Sequence, residues 1–218
     1  MEWRDKILDI ILQYPQYKLV GGYSIMKNMK DSDWEARATT DLDIRICSDI
    51  QKENNIDFLI NILNDNNLKT EIKMTKNNSY KIFVSDGQFR IKVDIEYKDG
   101  SNIESNIKNL KESLKDKFEL VMLMPNKQFK NVVDVIICLH DEFPNGISKK
   151  EFLNIINKDI LYHIDLDMQI ELSQKFKPNV LNGLQIEEYA IRFNSLIEGL
   201  LDDMIDENSI FKDGKWYY

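Results

Sequence analysis

The spacing of hydrophobic residues changes at about residue 100, and this change constrains the fold more than any other feature of the chain. Before it, Leu42, Ile44 and Ile46 alternate with Asp43, Arg45 and Cys47, as a strand with one buried face does. Residues 80–85 and 89–97 alternate in the same way, separated by Asp86-Gly87, a pair suited to a hairpin turn. Lys18 to Val20 reads as a shorter strand. Residues 3–11 read as a helix that Pro15 ends, and residues 23–30 and 56–63 as two more. Beyond Gly100, Ile103, Ile107, Leu110, Leu114, Phe118 and Val121 step by three and four, which predicts one long helix face. Residues 132–140, 152–161 and 186–204 carry the same period. The stretch Ile164–Leu172 alternates strictly among helical neighbours, so strand and helix both stay open for it. The expectation is an α+β fold: residues 1–100 with a mixed, twisted sheet, and residues 101–218 as a C-terminal helical domain.

The residues that carry chemistry gather in the first part. Asp41 and Asp43 are two apart on a strand, so their carboxylates share a face with α-carbons about 6.5–7 Å apart. Carboxylates so placed can serve the pair of hard divalent cations, about 3.5–4 Å apart, used in two-metal phosphoryl transfer. On its own, such a pair is more often the wetted face of an edge strand. Gly21-Gly22 changes that weighting, because it falls between a predicted strand and a predicted helix. Glycines there let the main chain approach a triphosphate, and amides at a helix start favour anions. Ser24 could add a hydroxyl to a phosphate or simply cap the helix. In Phe89–Tyr97 the apolar residues take odd positions, which puts Arg90, Lys92, Asp94 and Glu96 on one face. If that strand lies beside the Asp41 strand, Asp94 completes a carboxylate triad as a metal ligand and as the group that positions the attacking hydroxyl. Glu96 competes for the same place. Asp165-Leu166-Asp167 repeats the acidic pattern without the glycines or a third carboxylate strand, and reads as a solvated face.

The strings Leu19-Val20-Gly21-Gly22-Tyr23-Ser24 and Arg37-Ala38-Thr39-Thr40-Asp41-Leu42-Asp43-Ile44 resemble the polymerase-beta-like nucleotidyltransferase superfamily, and within it the abortive-infection AbiEii type. The resemblance runs from Leu19 to Asp94, with a looser echo at Lys127, Lys130 and Asp134. It implies that the first domain is a nucleotidyltransferase domain. The implied reaction moves a nucleoside monophosphate from a nucleoside triphosphate to an acceptor with two magnesium ions, or manganese in their place. The implied metal ligands and catalytic residues are Asp41, Asp43 and Asp94; the implied nucleotide contacts are Gly21, Gly22, Ser24, Arg37, Lys127, Lys130 and Asp134. Many such proteins are toxins of toxin–antitoxin or phage-defence systems, so transfer RNA or another RNA as acceptor, and a cognate antitoxin protein as partner, are further implications. The sequence departs from the pattern at Gly22, where serine is common; at 119–124, where a helical lysine is expected; and at Asn131, where an acid is expected. A small-molecule acceptor such as an antibiotic and a silent nucleotide-binding or protein-interaction module are the alternatives.

Bulk properties narrow the field. The net charge of −8 argues against a general binder of phosphate backbones, so RNA contact would need a local basic patch. Lys108, Lys111, Lys115 and Lys117 form one candidate, which reads first as a solvated helix face. Two cysteines, Cys47 and Cys138, lie in apolar segments and read as buried free thiols. His140 and His163 have no ligand partner at useful spacing. The longest apolar stretch, Val132–Leu139, is too short to cross a bilayer, and the N-terminus is charged, so a cytoplasmic protein with no membrane association is expected. The aromatics of the Phe211–Tyr218 tail suggest that it packs on the helices.

Overall fold

The computed structural model describes residues 3–29, 41–47, 52–74, 80–98, 105–123, 128–156, 158–163 and 183–218. These fall into two compact units. The first holds the residues up to Lys27 and those from Asp41 to Asn109; the second holds Asn28, Met29 and those from Leu110 to Tyr218. The architecture is α+β, with a five-stranded mixed sheet in the first unit and helices in both.

The first unit runs α1 (Trp3–Leu12), β1 (Tyr17–Val20), α2 (Gly21–Asn28), β2 (Asp41–Cys47), α3 (Lys52–Asp65), β3 (Lys69–Met74), β4 (Tyr80–Ser85) and β5 (Arg90–Lys98). The sheet order is β1-β2-β5-β4-β3, and only the β2–β5 pair is parallel. One face of the sheet is apolar because Leu42, Ile44 and Ile46 of β2 and Ile91, Val93 and Ile95 of β5 alternate onto it. Ile7, Leu8 and Ile11 of α1 and Ile56, Leu59 and Leu63 of α3 close that face into one core. Burying side chains of this size removes about 1.5–3 kcal/mol of exposure cost apiece, which fixes the register of both strands. At the β4–β5 hairpin, Asp86 accepts bonds from the amides of Gln88 and Phe89, and Gly87 takes φ +100°.

Residues 105–109 depart from the expected helix. Asn106 Nδ2 donates to the Leu12 carbonyl, and Leu19 exchanges main-chain bonds with Asn106 and Lys108, so Ile107 lies beside β1 as a parallel bridge. The helix of the second unit therefore begins at Leu110.

The second unit contains α4 (Leu110–Leu123), α5 (Gln128–Glu142), β6 (Ile147–Ser148), α6 (Lys149–Ile155), a 3-10 helix (Lys158–His163), α7 (Gly183–Leu201), β7 (Ile210–Lys212) and β8 (Lys215–Tyr217). Leu114, Phe118, Val132, Ile136, Phe152, Phe193 and Ile197 are buried in it, with Phe118 edge-on to Phe152 at 5.4 Å. It is not wholly helical: β6, β7 and β8 make a small antiparallel sheet. The C-terminal tail forms its hairpin, and Trp216 Nε1 donates to the Ser195 carbonyl while the ring lies against Gly199. The alternating stretch at 164–172, including Asp165 and Asp167, falls outside the described residues.

Candidate active site

β2 is the strand that organises the site. Its buried residues face the core, so Asp41, Asp43 and Arg45 turn to the opposite face, where each is half-buried. β5 runs parallel beside it in a register that sets Lys92 next to Asp41, Asp94 next to Asp43, and Glu96 next to Arg45. Two of these three pairs join opposite charges. The middle one sets two carboxylates side by side on strands about 4.8 Å apart, an arrangement that by itself destabilises a sheet.

The flanking cations offset part of that cost. Lys92 Nζ lies 2.7 Å from Asp41 Oδ2 and 2.6 Å from Asp94 Oδ2, bridging the two carboxylates. Burial works against the Lys92 charge, but the bonds to Asp41 and Asp94 outweigh it and raise the pKa above the ordinary lysine range. Arg45 engages Glu96 through Nε and Nη2 at 3.1–3.2 Å, which takes Glu96 out of competition with Asp94. Asp94 Oδ1 is buried and meets no hydrogen-bond donor among the described residues. Such an atom suits a cation or a proton.

The glycines meet this cluster at the end of β1, where Val20 pairs with Asp43. Gly21 adopts φ +72°, and a β-carbon there would stand 2.0 Å from Asp43 Oδ2. The Asp43 carboxylate thus occupies the space that only glycine leaves. Helix α2 starts at this residue. Ser24 is fully buried and donates its hydroxyl back to the Gly21 carbonyl at 2.8 Å, within the first turn of α2. Tyr23 ties α2 to α1: its hydroxyl donates to Asp5 Oδ1 at 2.6 Å, Lys27 pairs with the same oxygen, and Arg4 lies 4.6 Å above its ring. The bonds from Lys27 and Tyr23 hold the Asp5 carboxyl below the usual carboxylate range.

Asp41, Asp43, Asp94, Gly21 and Gly22 therefore come together in the first unit. Lys130 and Asp134 lie on α5 in the second, while Arg37 and Lys127 fall outside the described residues. Asp134 pairs with Lys117 of α4, Oδ2 to Nζ 2.7 Å, with both side chains almost wholly buried. The basic run accordingly divides: Lys111 and Lys115 are exposed, whereas Lys108 and Lys117 are buried. Lys117 also supplies a helical lysine just before the 119–124 segment in which one was expected. Cys47 and Cys138 are buried free thiols, and burial first of all pushes the Cys138 thiol up. His140 Nδ1 sits 3.0 Å from Asp141 Oδ1.

The sequence places Lys92 on the Asp94 face without a role for it, and Lys117 reads as part of a solvated helix face although it is buried. Both had a signal. Lys92 shares its strand face with Asp94 two residues on, and Lys117 interrupts the apolar stripe of Leu110, Leu114, Phe118 and Val121, where a charge needs a partner.

As a set of hard oxygen donors around a glycine-lined turn, Asp41, Asp43 and Asp94 fit a divalent cation such as magnesium, and the orphaned Asp94 Oδ1 is the atom that supports this most directly. Among the described residues no three His, Cys, Asp or Glu side chains are already gathered around one point; the cation between Asp41 and Asp94 is the Lys92 ammonium. No described helix is long and apolar enough to cross a membrane.

No family model and no curated protein matches the chain. Among solved structures it is similar to the crystal structure of JHP933 from Helicobacter pylori, with a TM-score of 0.51 and 13% sequence identity over 90% of this chain and 91% of that one. At that identity the likeness is one of fold, and it extends over most of both chains.

Proposed function

We propose that the chain is a magnesium-dependent nucleotidyltransferase that moves a nucleoside monophosphate from a nucleoside triphosphate to an acceptor hydroxyl. The observation that carries this reading is the Asp43–Asp94 adjacency on parallel strands, with Asp41 on the same face and a left-handed Gly21 against Asp43. A sheet tolerates neighbouring carboxylates where positive charge is to be held between them. Magnesium, when bound, supplies positive charge against the triphosphate and the carboxylates.

Asp41, Asp43 and Asp94 would hold the metal, two ions in all, with manganese as a substitute. Gly21 and Gly22 leave the main chain open to the phosphates, and the first amides of α2 favour their negative charge. Asp94 orients the acceptor hydroxyl and takes its proton. The acceptor oxygen bonds to the α-phosphorus, the bond from that phosphorus to the bridging oxygen breaks, and pyrophosphate leaves with the electron pair. Positioning and charge compensation supply most of the acceleration. Lys130 and Asp134 enter this proposal through the family resemblance alone. The same resemblance makes an RNA such as transfer RNA the acceptor, and a toxin with a cognate antitoxin the role.

The test is transfer of label from each α-labelled nucleoside triphosphate, with magnesium, to total RNA, cell protein and a panel of small molecules including antibiotics. Label should enter one pool and fall by at least about a hundredfold in Asp43→Asn. A folded Asp43→Asn protein with wild-type turnover sinks the assignment. Nucleotide binding without transfer to any pool points instead to a silent binding module.

A further inference from the structure

The cation already seated among the site carboxylates belongs to the chain itself. Lys92 Nζ is 2.7 Å from Asp41 and 2.6 Å from Asp94, and its side chain is 31% exposed. It is thus a partly sheltered ammonium, not a surface charge in bulk water. It holds one oxygen of each carboxylate, Oδ2 in both cases, while Asp94 Oδ1 stays without a donor among the described residues. A divalent ion shared by Asp41 and Asp94 would lie close to that ammonium even if it took their other oxygens, and two cations so placed compete: at about 4 Å, like charges repel by several kcal/mol near a protein surface.

We infer that Lys92 is a resident counter-ion of the site, which competes with the first divalent cation for Asp41 and Asp94 and so couples metal binding to arrival of the triphosphate. The inference rests on the metal-dependent reading given above and adds a regulatory residue to it. Metal alone must displace the ammonium into water. Metal that arrives with a polyphosphate displaces it next to an anion with which it can pair. Lys92 is therefore a positioning residue whose effect is seen in metal binding before any turnover.

The experiment titrates the full chain with Mn2+ alone, reading free Mn2+ by electron paramagnetic resonance, and repeats the titration with inorganic triphosphate. Wild type, Lys92→Met, Lys92→Arg and Asp41→Asn are compared, with folding checked by circular dichroism. Lys92→Met should bind Mn2+ alone about tenfold tighter than wild type, as removing a close competing charge implies. Lys92→Arg should stay near wild type, and triphosphate should tighten Mn2+ binding more in wild type than in Lys92→Met. Equal or weaker binding by Lys92→Met, or an equal gain in Lys92→Arg, overturns the inference while leaving the metal site intact. Absence of Mn2+ binding in every protein, with and without triphosphate, overturns the metal-dependent reading as well. A measurement on the unaltered chain covers the case in which Lys92→Met does not fold. Acetylation of Lys92, followed by mass spectrometry, should rise several-fold with saturating Mg2+; unchanged labelling counts against displacement.

Discussion

Asp43 sits where two local rules are broken together: it has a carboxylate neighbour across the parallel strand pair, and its own carboxylate fills the space beside a glycine at φ +72°. Gly21 answers both demands of the position, being free to adopt the left-handed region and having no side chain to strike Asp43. Alanine there would carry about 1–2 kcal/mol of backbone strain. It would also drive its β-carbon into Asp43 Oδ2, Cγ and Cβ, which lie 2.0, 2.7 and 2.8 Å from that position. Gly21→Ala should thus lower stability in urea denaturation by more than the strain of about 1–2 kcal/mol alone and, in addition, reduce label transfer far more than that loss explains, because Asp43 must shift from its place. Full transfer activity in Gly21→Ala would show that the Asp43 position does not matter. Much of the site was legible from side-chain alternation, since Asp41, Asp43 and Asp94 had to share a face once their strands were neighbours. Its charge balance was legible only in part: the spacing on β5 puts Lys92 beside Asp94, but the contact with Asp41 comes from the β2–β5 register, which neither strand encodes alone.

In the second unit a buried cation, Lys149, ties α6 to the segment that follows α7. Lys149 opens α6 directly after its N-cap, Ser148, whose hydroxyl accepts from the Glu151 amide at 3.1 Å. Its ammonium is buried and donates to the carbonyls of Asp202 at 2.7 Å and Ile205 at 3.3 Å, in the segment that follows α7. The main chain repeats the link, Lys149 N to Ser209 O and Lys150 N to Glu207 O. Lys149→Met keeps the apolar stem but leaves two carbonyls without their donor, a loss of about 1–3 kcal/mol, whereas Ser148→Ala removes one cap bond and costs about 1 kcal/mol. Thermal melts should rank the two variants in that order; the reverse ranking would mean that the cap, not the cation, holds α6 in place. The elements that sequence periodicity found are the ones whose apolar residues repeat regularly, such as β2, β5 and α4. It missed β3 because Lys69, Glu71, Ile72, Lys73 and Met74 are all exposed on an edge strand, held by its pairing with β4 and not by burial. It extended a helix over Ile107 because the bonds that pull 106–108 onto β1 come from Leu12 and Leu19, far away in sequence. The C-terminal hairpin did carry a signal, Asp213-Gly214, both with positive φ, between two short runs of strand-forming residues.

At the scale of the whole molecule, charge limits the acceptors open to the proposed transferase. The chain has 37 acidic and 29 basic side chains, and two of the lysines in its densest basic run, Lys108 and Lys117, are buried and cannot face a phosphate backbone. Non-specific nucleic-acid binding is driven by counterions released from phosphates as cations replace them, and a net excess of negative charge opposes that exchange away from any local basic patch. A nucleoside triphosphate is small enough to be drawn in by metal charge at the carboxylates alone; a long polyanion is not. The chain should therefore bind a mixed-sequence single-stranded RNA more weakly than about 0.1 mM at physiological salt, the weak end of non-specific binding, when followed by fluorescence anisotropy. Removing salt should tighten that binding only slightly, because few phosphates are neutralised. If an RNA is the acceptor, its recognition must then come from shape or from an exposed end, and a folded RNA that accepts label should compete far better than the same sequence unfolded. Tight, steeply salt-dependent binding to the mixed-sequence strand would instead locate a cationic surface strong enough to overcome the net charge, and would make general RNA affinity part of how the acceptor is chosen.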